Sequence, residues 1–229
     1  MKNQRLISII IPTLNEEAAI GQVLRSVPYR DLGPTEVLVI DGGSTDGTIE
    51  VAEALGATVV RQSRAGYGQA ILEGISRAKG DLLVFVDGDG VYDLREIPSL
   101  LSTMESQDVD IVIGSRFRGE IKPGSMPLIR SLMSKLFNYL LGIFLRSQIA
   151  DLTSGFRVAK KASLLRLRNQ LQEPVQYSII VAAFFNKLRV LEAPITFYPR
   201  IGRSKLSSSS AFFRTLGLLL KFGSRGSFK

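Results

Sequence analysis

Two carboxylates one residue apart, Asp87 and Asp89, stand directly after the apolar run Leu82-Leu83-Val84-Phe85-Val86. A strand of that composition delivers both acids to one rim of a sheet. Like charges so close are unfavourable unless a cation lies between them, and Mg²⁺ or Mn²⁺ held by carboxylates plus substrate phosphates is the usual solution. A plain acidic turn is the competing reading, because a second D-x-D occurs at Asp108 and Asp110. That pair precedes its strand and is expected at the opposite rim, as a solvated turn. An EF-hand loop over 87–98 is excluded: Tyr92 stands where its Gly must be and Pro98 where its Glu must be.

Asp41 ends another apolar run, where a carboxylate can accept hydrogen bonds from a base or ribose. Asp46, before Gly47-Thr48, reads first as a helix N-cap. Gly66-Tyr67-Gly68-Gln69-Ala70 is half a dinucleotide fingerprint, but Ile71 fills the third Gly position and opposes the close helix packing that motif needs. No Gly-Lys pair occurs, which excludes a P-loop. Arg116, Arg130, Arg157, Arg200, Arg203 and Lys205 gather in the second half, near Asp151 to Arg157. Guanidinium suits bidentate phosphate binding, although each alone can be an ordinary surface cation. With no His and no Cys, any chemistry must rest on carboxylates, hydroxyls and cations.

The elements that must hold these residues follow a βαβ rhythm. Apolar runs at Leu6 to Ile11, Glu36 to Ile40, Thr58 to Val60, Leu82 to Val86 and Ile111 to Ile113 are each followed by polar or Gly-rich residues and a helix-like stretch. The runs are nearly continuous Val, Ile and Leu, as parallel strands covered on both faces require. An open doubly wound sheet binds ligands beyond the carboxyl ends of its strands, where Asp41 and Asp87-Gly88-Asp89 fall. After Gly119 comes Met126 to Arg146, with helical apolar periodicity. A helix after Pro174, a short strand pair around Val190 to Tyr198 and the Ser-rich run 207–210 complete the pass.

At 229 residues the chain suits one sizeable α/β domain. Its charge is uneven: residues 151–229 carry 14 Lys and Arg against three acids, whereas residues 1–150 carry 15 against 18. A basic half suggests an anionic partner such as a phosphate, a nucleic acid or a lipid surface, against the simpler reading of a solvated basic face. The apolar N-terminal run is too short for a signal peptide and reads as a first strand. Leu136 to Leu145 is about half the ~20 apolar residues of a membrane span, so no crossing is expected.

Taken together, Ile11-Pro12-Thr13-Leu14-Asn15-Glu16, Asp41 to Thr48, Gly66 to Ala70, Asp87 to Gly90, Gly114-Ser115-Arg116, Asp151 to Arg157 and Arg200 to Lys205 resemble the family 2 glycosyltransferases, most of all the dolichyl-phosphate mannosyltransferase and polyprenyl-phosphate glycosyltransferase branch. The resemblance implies a GT-A fold, Rossmann-like with a mostly parallel sheet, over 1–206. Its nucleotide part would span about 1–115 and its acceptor part about 116–206. Pro12, Thr13, Asn15, Glu16, Asp41, Gly68 and Gln69 would line the donor nucleotide, with Asp87, Gly88 and Asp89 at its diphosphate. Asp87 and Asp89 would hold Mg²⁺ or Mn²⁺, and Arg200 and Lys205 would close over the donor phosphates. Arg116, Arg130, Ser134 and Arg157 would receive the acceptor phosphate, and Asp151, with Asp89, would act at the reacting centre. The family inverts the anomeric centre in one displacement.

The expected function is transfer of a hexose from a UDP- or GDP-sugar to a polyprenyl phosphate at the cytoplasmic face of a membrane. Residues 207–229, apolar and basic with no acid, would form an amphipathic helix on an anionic membrane surface or else pack on the domain. Two alternatives stand beside this reading. One keeps the fold but uses a saccharide or soluble acceptor, with Asp151 as base. The other is a non-catalytic nucleotide or nucleic-acid binding module, which the aromatics oppose because they fall in apolar runs rather than between cations, so no nucleic-acid partner is expected.

Overall fold

Every second residue of the first apolar runs points to the same side. Ile7, Ile9 and Ile11 join one buried cluster with Val37, Val39, Leu82, Val84 and Val86, while Ile10, Leu38, Ile40, Leu83 and Phe85 join another on the opposite face. A strand buried on both faces has no use for polar residues, which is why these runs are continuous rather than alternating. The computed structural model describes residues 5–171 and 175–202. It builds them around one seven-stranded sheet of order β3-β2-β1-β4-β6-β5-β7, from β1 (Ile7–Thr13), β2 (Thr35–Asp41), β3 (Thr58–Arg61), β4 (Leu82–Phe85), β5 (Ile111–Ile121), β6 (Arg157–Lys160) and β7 (Val190–Phe197). β6 runs antiparallel to both its neighbours, β4 and β5, and the other pairings are parallel. The sheet is therefore the mostly parallel α/β sheet of a GT-A fold.

Helices cover both faces. α1 (Glu17–Arg25) buries Ala19, Ile20, Val23 and Leu24, and α5 (Ile97–Ser106) buries Ile97, Leu100 and Met104 with Pro98 in its first turn, where the missing N–H costs nothing. α2 (Tyr29–Leu32) is a single turn, and α3 (Thr48–Ala54) packs beside α1. On the other face lie α4 (Tyr67–Arg77), α6 (Leu128–Leu145), α7 (Lys161–Leu167) and α8 (Val175–Phe185).

Two expectations change. The stretch around Val190 to Tyr198 is one strand, β7, paired in parallel with β5 at the sheet edge, not a strand pair. The apolar run Leu136 to Leu145 belongs to a longer helix: α6 has 18 residues and meets the length and composition of a membrane span. The second D-x-D does sit at the opposite rim. Asp108 is exposed and pairs with Lys160 at 2.8 Å, but Asp110 ties elements together, accepting from Ser163 Oγ at 2.6 Å and Arg189 N at 2.9 Å.

Candidate active site

The carboxyl ends of β1, β2 and β4 converge on one rim. Thr13 ends β1 and Asp41 ends β2, and the Asp41 carboxylate accepts four hydrogen bonds: from Gly43 N (2.9 Å) and Ser44 N (2.8 Å) on Oδ1, and from Ser44 Oγ (2.5 Å) and Thr13 Oγ1 (3.3 Å) on Oδ2. Four donors fill the lone pairs of a carboxylate. Buried and hydrogen bonded on both oxygens, Asp41 holds the loop in shape. Asn15, in the left-handed region at φ 52°, accepts from Thr45 N at 2.7 Å, and its own N–H donates to Ser44 Oγ at 2.8 Å. Glu16 N donates to Thr48 Oγ1 at 2.8 Å. Asp46 was read as an N-cap; the cap of α3 is Gly47, and Asp46, one residue before it, accepts from Thr48 N and Oγ1. Pro12, Thr13, Asn15 and Glu16 thus form one wall with loop 41–48.

Asp87 and Asp89 follow β4 at the same rim. A Cβ on Gly88 would meet Thr13 Cγ2 at 2.8 Å, so only Gly lets this loop lie against the end of β1. Asp87 Oδ1 accepts from Tyr67 Oη at 2.7 Å, and Asp89 Oδ2 accepts from Arg200 Nη1 at 2.5 Å. Burial pushes the Asp87 carboxyl up to about 6, and the neighbouring Asp89 charge adds to the rise. Burial also raises Asp89, although Arg200 opposes it. Two carboxylates held partly against ionisation form an under-compensated negative site. Their hard oxygens suit Mg²⁺ or Mn²⁺, with the remaining coordination left to phosphate oxygens and water, because among the described residues no third acid, His or Cys joins them in a metal-holding group.

Arg200 spans the rim. Its Nη2 donates to Glu16 Oε1 at 2.5 Å, so one guanidinium links the β1 wall to Asp89. Ile201 N donates to Asp89 O at 3.0 Å and Tyr198 N to Val91 O at 2.9 Å, which lays segment 198–202 over the 87–91 loop. Lys205 and Arg203 lie outside the described residues, as do 207–229. Gly68 is buried and Gln69 half-buried in the first turn of α4, next in sequence to Tyr67.

The second half departs from expectation at two residues. Asp151 is fully buried and paired with Arg116, which donates from Nε at 2.7 Å, from Nη2 at 2.7 Å and from its backbone N at 3.0 Å. Thr153 Oγ1 adds a contact at 3.3 Å. Burial opposes the Arg116 charge, but the Asp151 hydrogen bonds and carboxylate outweigh it and hold the guanidinium protonated. So enclosed, Asp151 is an ion-pair partner and not an accessible base. Arg157 is also buried, donates to Leu152 O at 3.1 Å and has its pKa lowered by burial; its charge acts on Asp87, and its burial does not fit a group that meets an acceptor directly.

Arg116 stays near the site but with much of its fork committed to Asp151. Exposed Arg130, in the first turn of α6, contributes its charge to Asp89. Ser134 is half-buried one turn on, and its carbonyl accepts from Asn138 Nδ2 at 2.9 Å; Asn138 Nδ2 also reaches Thr153 Oγ1 at 3.1 Å. Tyr67 and Asn138 were not legible as site residues, although Tyr67 lies inside the motif Gly66 to Ala70 and donates to Asp87. Nothing in the sequence marks Asn138 as pointing inward.

The glycosyl transferase family 2 model matches residues 8–168. The chain is 34% identical over 218 residues to the low-salt glycan biosynthesis hexosyltransferase Agl6 of Haloferax volcanii, covering 93% of this chain and 53% of that protein. It is 33% identical over 196 residues to the glycosyltransferase AglJ of the same organism, covering 85% and 63%. The chain thus spans little more than half the length of these two relatives. Among solved structures, glucosyl-3-phosphoglycerate synthase from Mycobacterium tuberculosis in complex with phosphoglyceric acid superposes with a TM-score of 0.74 at 24% identity, covering 95% of this chain and 79% of that one. The same enzyme with Mn²⁺, UDP and glucosyl-3-phosphoglycerate gives 0.69 at 24%, covering 95% and 76%. These superpositions support the fold.

Proposed function

The chain belongs to glycosyl transferase family 2, and from that premise we propose that it moves a hexose from a UDP- or GDP-sugar, with inversion, onto a polyprenyl phosphate at the cytoplasmic face of a membrane. The observation that carries the reading is the arrangement at the rim: two carboxylates after β4, Asp89 paired with Arg200 and Asp87 held by Tyr67, with the charges of Arg116 and Arg130 acting on them.

Asp87 and Asp89 would hold Mg²⁺ or Mn²⁺ on the donor diphosphate, and the ion when bound would neutralise the leaving group. The Mn²⁺ and UDP complexes of the structural neighbour support that choice. The nucleoside would lie against Pro12, Thr13, Asn15 and Glu16 and the loop held by Asp41. Tyr67 orients Asp87, and Arg200, released from Asp89 and Glu16, would turn its fork to the diphosphate; Lys205 would join it. Arg130, Arg116 and Ser134 would orient the acceptor phosphate. Its oxygen is already anionic near neutral pH, so no residue need remove a proton, which accords with the absence of His and the enclosure of Asp151. The protein's part is then orientation and charge stabilisation. A second reading, a small soluble phosphorylated acceptor, draws on the phosphoglycerate bound by the structural neighbour and on the same cations.

The test is transfer of label from a panel of UDP- and GDP-sugars to a short polyprenyl phosphate in detergent, to phosphoglycerate, or to a neutral saccharide, with metal and with EDTA. Metal-dependent label in the polyprenyl phosphate is expected. Label in phosphoglycerate alone would replace the acceptor, and label in the saccharide alone would overturn the phosphate reading.

A further inference from the structure

α6 turns an unusual face to the outside. Leu128, Ile129, Leu132, Met133, Leu136, Tyr139, Leu140 and Ile143 are all exposed, reaching 77% at Leu128 and 69% at Ile129. At 3.6 residues per turn they form one continuous stripe about 140° wide. A soluble surface seldom leaves an apolar patch of this kind without something to cover it.

Charge indicates what covers it. From 121 to 150 the sequence holds Lys122, Arg130, Lys135 and Arg146 and no acid. A second copy of the chain meeting this face by a two-fold axis would bring these cations against their own counterparts, with no carboxylate on the helix to offset them. Residues 203–229 are also cationic, with no acid to offset the cations beside the stripe. An anionic lipid surface offers both what the leucines need and what the cations need. The exposed phenol of Tyr139 suits the headgroup level.

The inner face of α6 fixes the geometry. Phe137 and Leu141 lie in the core, and Asn138 is hydrogen bonded to Thr153. A helix with one face in its own domain cannot be surrounded by lipid, so it lies along the surface instead of crossing. We propose that the outward face of α6 is a membrane-docking surface that seats the domain on anionic lipid, with Arg130 of the acceptor site on the same helix. This rests on the reading of a lipid-borne acceptor, whose phosphate at headgroup depth would reach Arg130 and Ser134 while its chain stays in the bilayer.

The experiment is co-sedimentation of the full chain with phosphatidylcholine vesicles with and without phosphatidylglycerol, and no polyprenyl phosphate, for wild type and a Leu132→Gln/Leu136→Gln variant. Both positions are exposed, so the fold is expected to survive, and unchanged binding of the sugar nucleotide checks it. Wild type should bind the anionic vesicles, more weakly as salt rises, and the variant should bind at least about tenfold less, each lost leucine contact being worth around a factor of ten. No binding by wild type, or equal binding by the variant, would overturn the proposal. So would a wild-type dimer in light scattering that the variant abolishes, which would assign the face to a second copy. Vesicle binding without transfer to polyprenyl phosphate in detergent would sink the acceptor reading and leave this one standing.

Discussion

Tyr67 and Asp87 show how much of the site depends on contacts that spacing does not record. A phenol at 2.7 Å fixes the rotamer of a carboxylate proposed to hold metal. Losing such a supporting partner commonly weakens metal affinity by about 10–100-fold, so Tyr67→Phe should weaken Mn²⁺-dependent donor binding by that order with an unchanged circular dichroism spectrum. The raised Asp87 carboxyl gives a second prediction. It keeps its proton to about 6 in the folded chain, whereas an unfolded Asp releases it near ~3.9. Between those values the folded state binds more protons, so in EDTA this group's contribution to stability should fall as pH rises from about 4 to about 6. Melting curves across that range should show a shallower fall for Asp87→Asn than for wild type, and added Mn²⁺ should restore stability at the upper end. Asp87 and Asp89 were legible because an apolar run points at them. The burial of Asp41, Asp151 and Arg157 was not, since a carboxylate at a strand end looks the same in sequence whether its lone pairs face a ligand or a loop.

At the scale of elements, the Arg116–Asp151 pair joins β5 to the turn before β6 across 35 residues. Breaking a buried ion pair leaves one charge unpaired and costs about 3–5 kcal/mol, so Asp151→Ala should lower the melting temperature sharply. Arg116→Met/Asp151→Leu should be less destabilised than either single variant. If Asp151 were an accessible base, its loss would abolish turnover and leave the melting curve in place. β1 to β5 were readable from their continuous apolar runs, whereas β6, the short segment Arg157–Lys160 with a cation at each end, was not. β7 was not read as one strand because Pro194 interrupts it, a residue that a sheet edge tolerates. α6 was legible as a helix over 126–146, and Arg130 and Lys135, which break its apolar run in sequence, flank the stripe on the helix.

For the whole molecule, the doubly wound sheet was legible because its rhythm repeats, and the rim follows from that topology. Which way α6 faces is a property of packing, and no count of apolar residues conveys it. The central claim is that the rim of β1, β2 and β4 binds a nucleotide diphosphate through a metal held by Asp87 and Asp89. The measurement that tests it most directly is calorimetric titration of UDP and GDP into wild type and Asp89→Asn, each with Mn²⁺ and with EDTA. One nucleotide should bind wild type only with metal, and Asp89→Asn should lose that binding while keeping its fold. Equal binding by the variant, or binding by wild type that EDTA leaves untouched, would contradict the account.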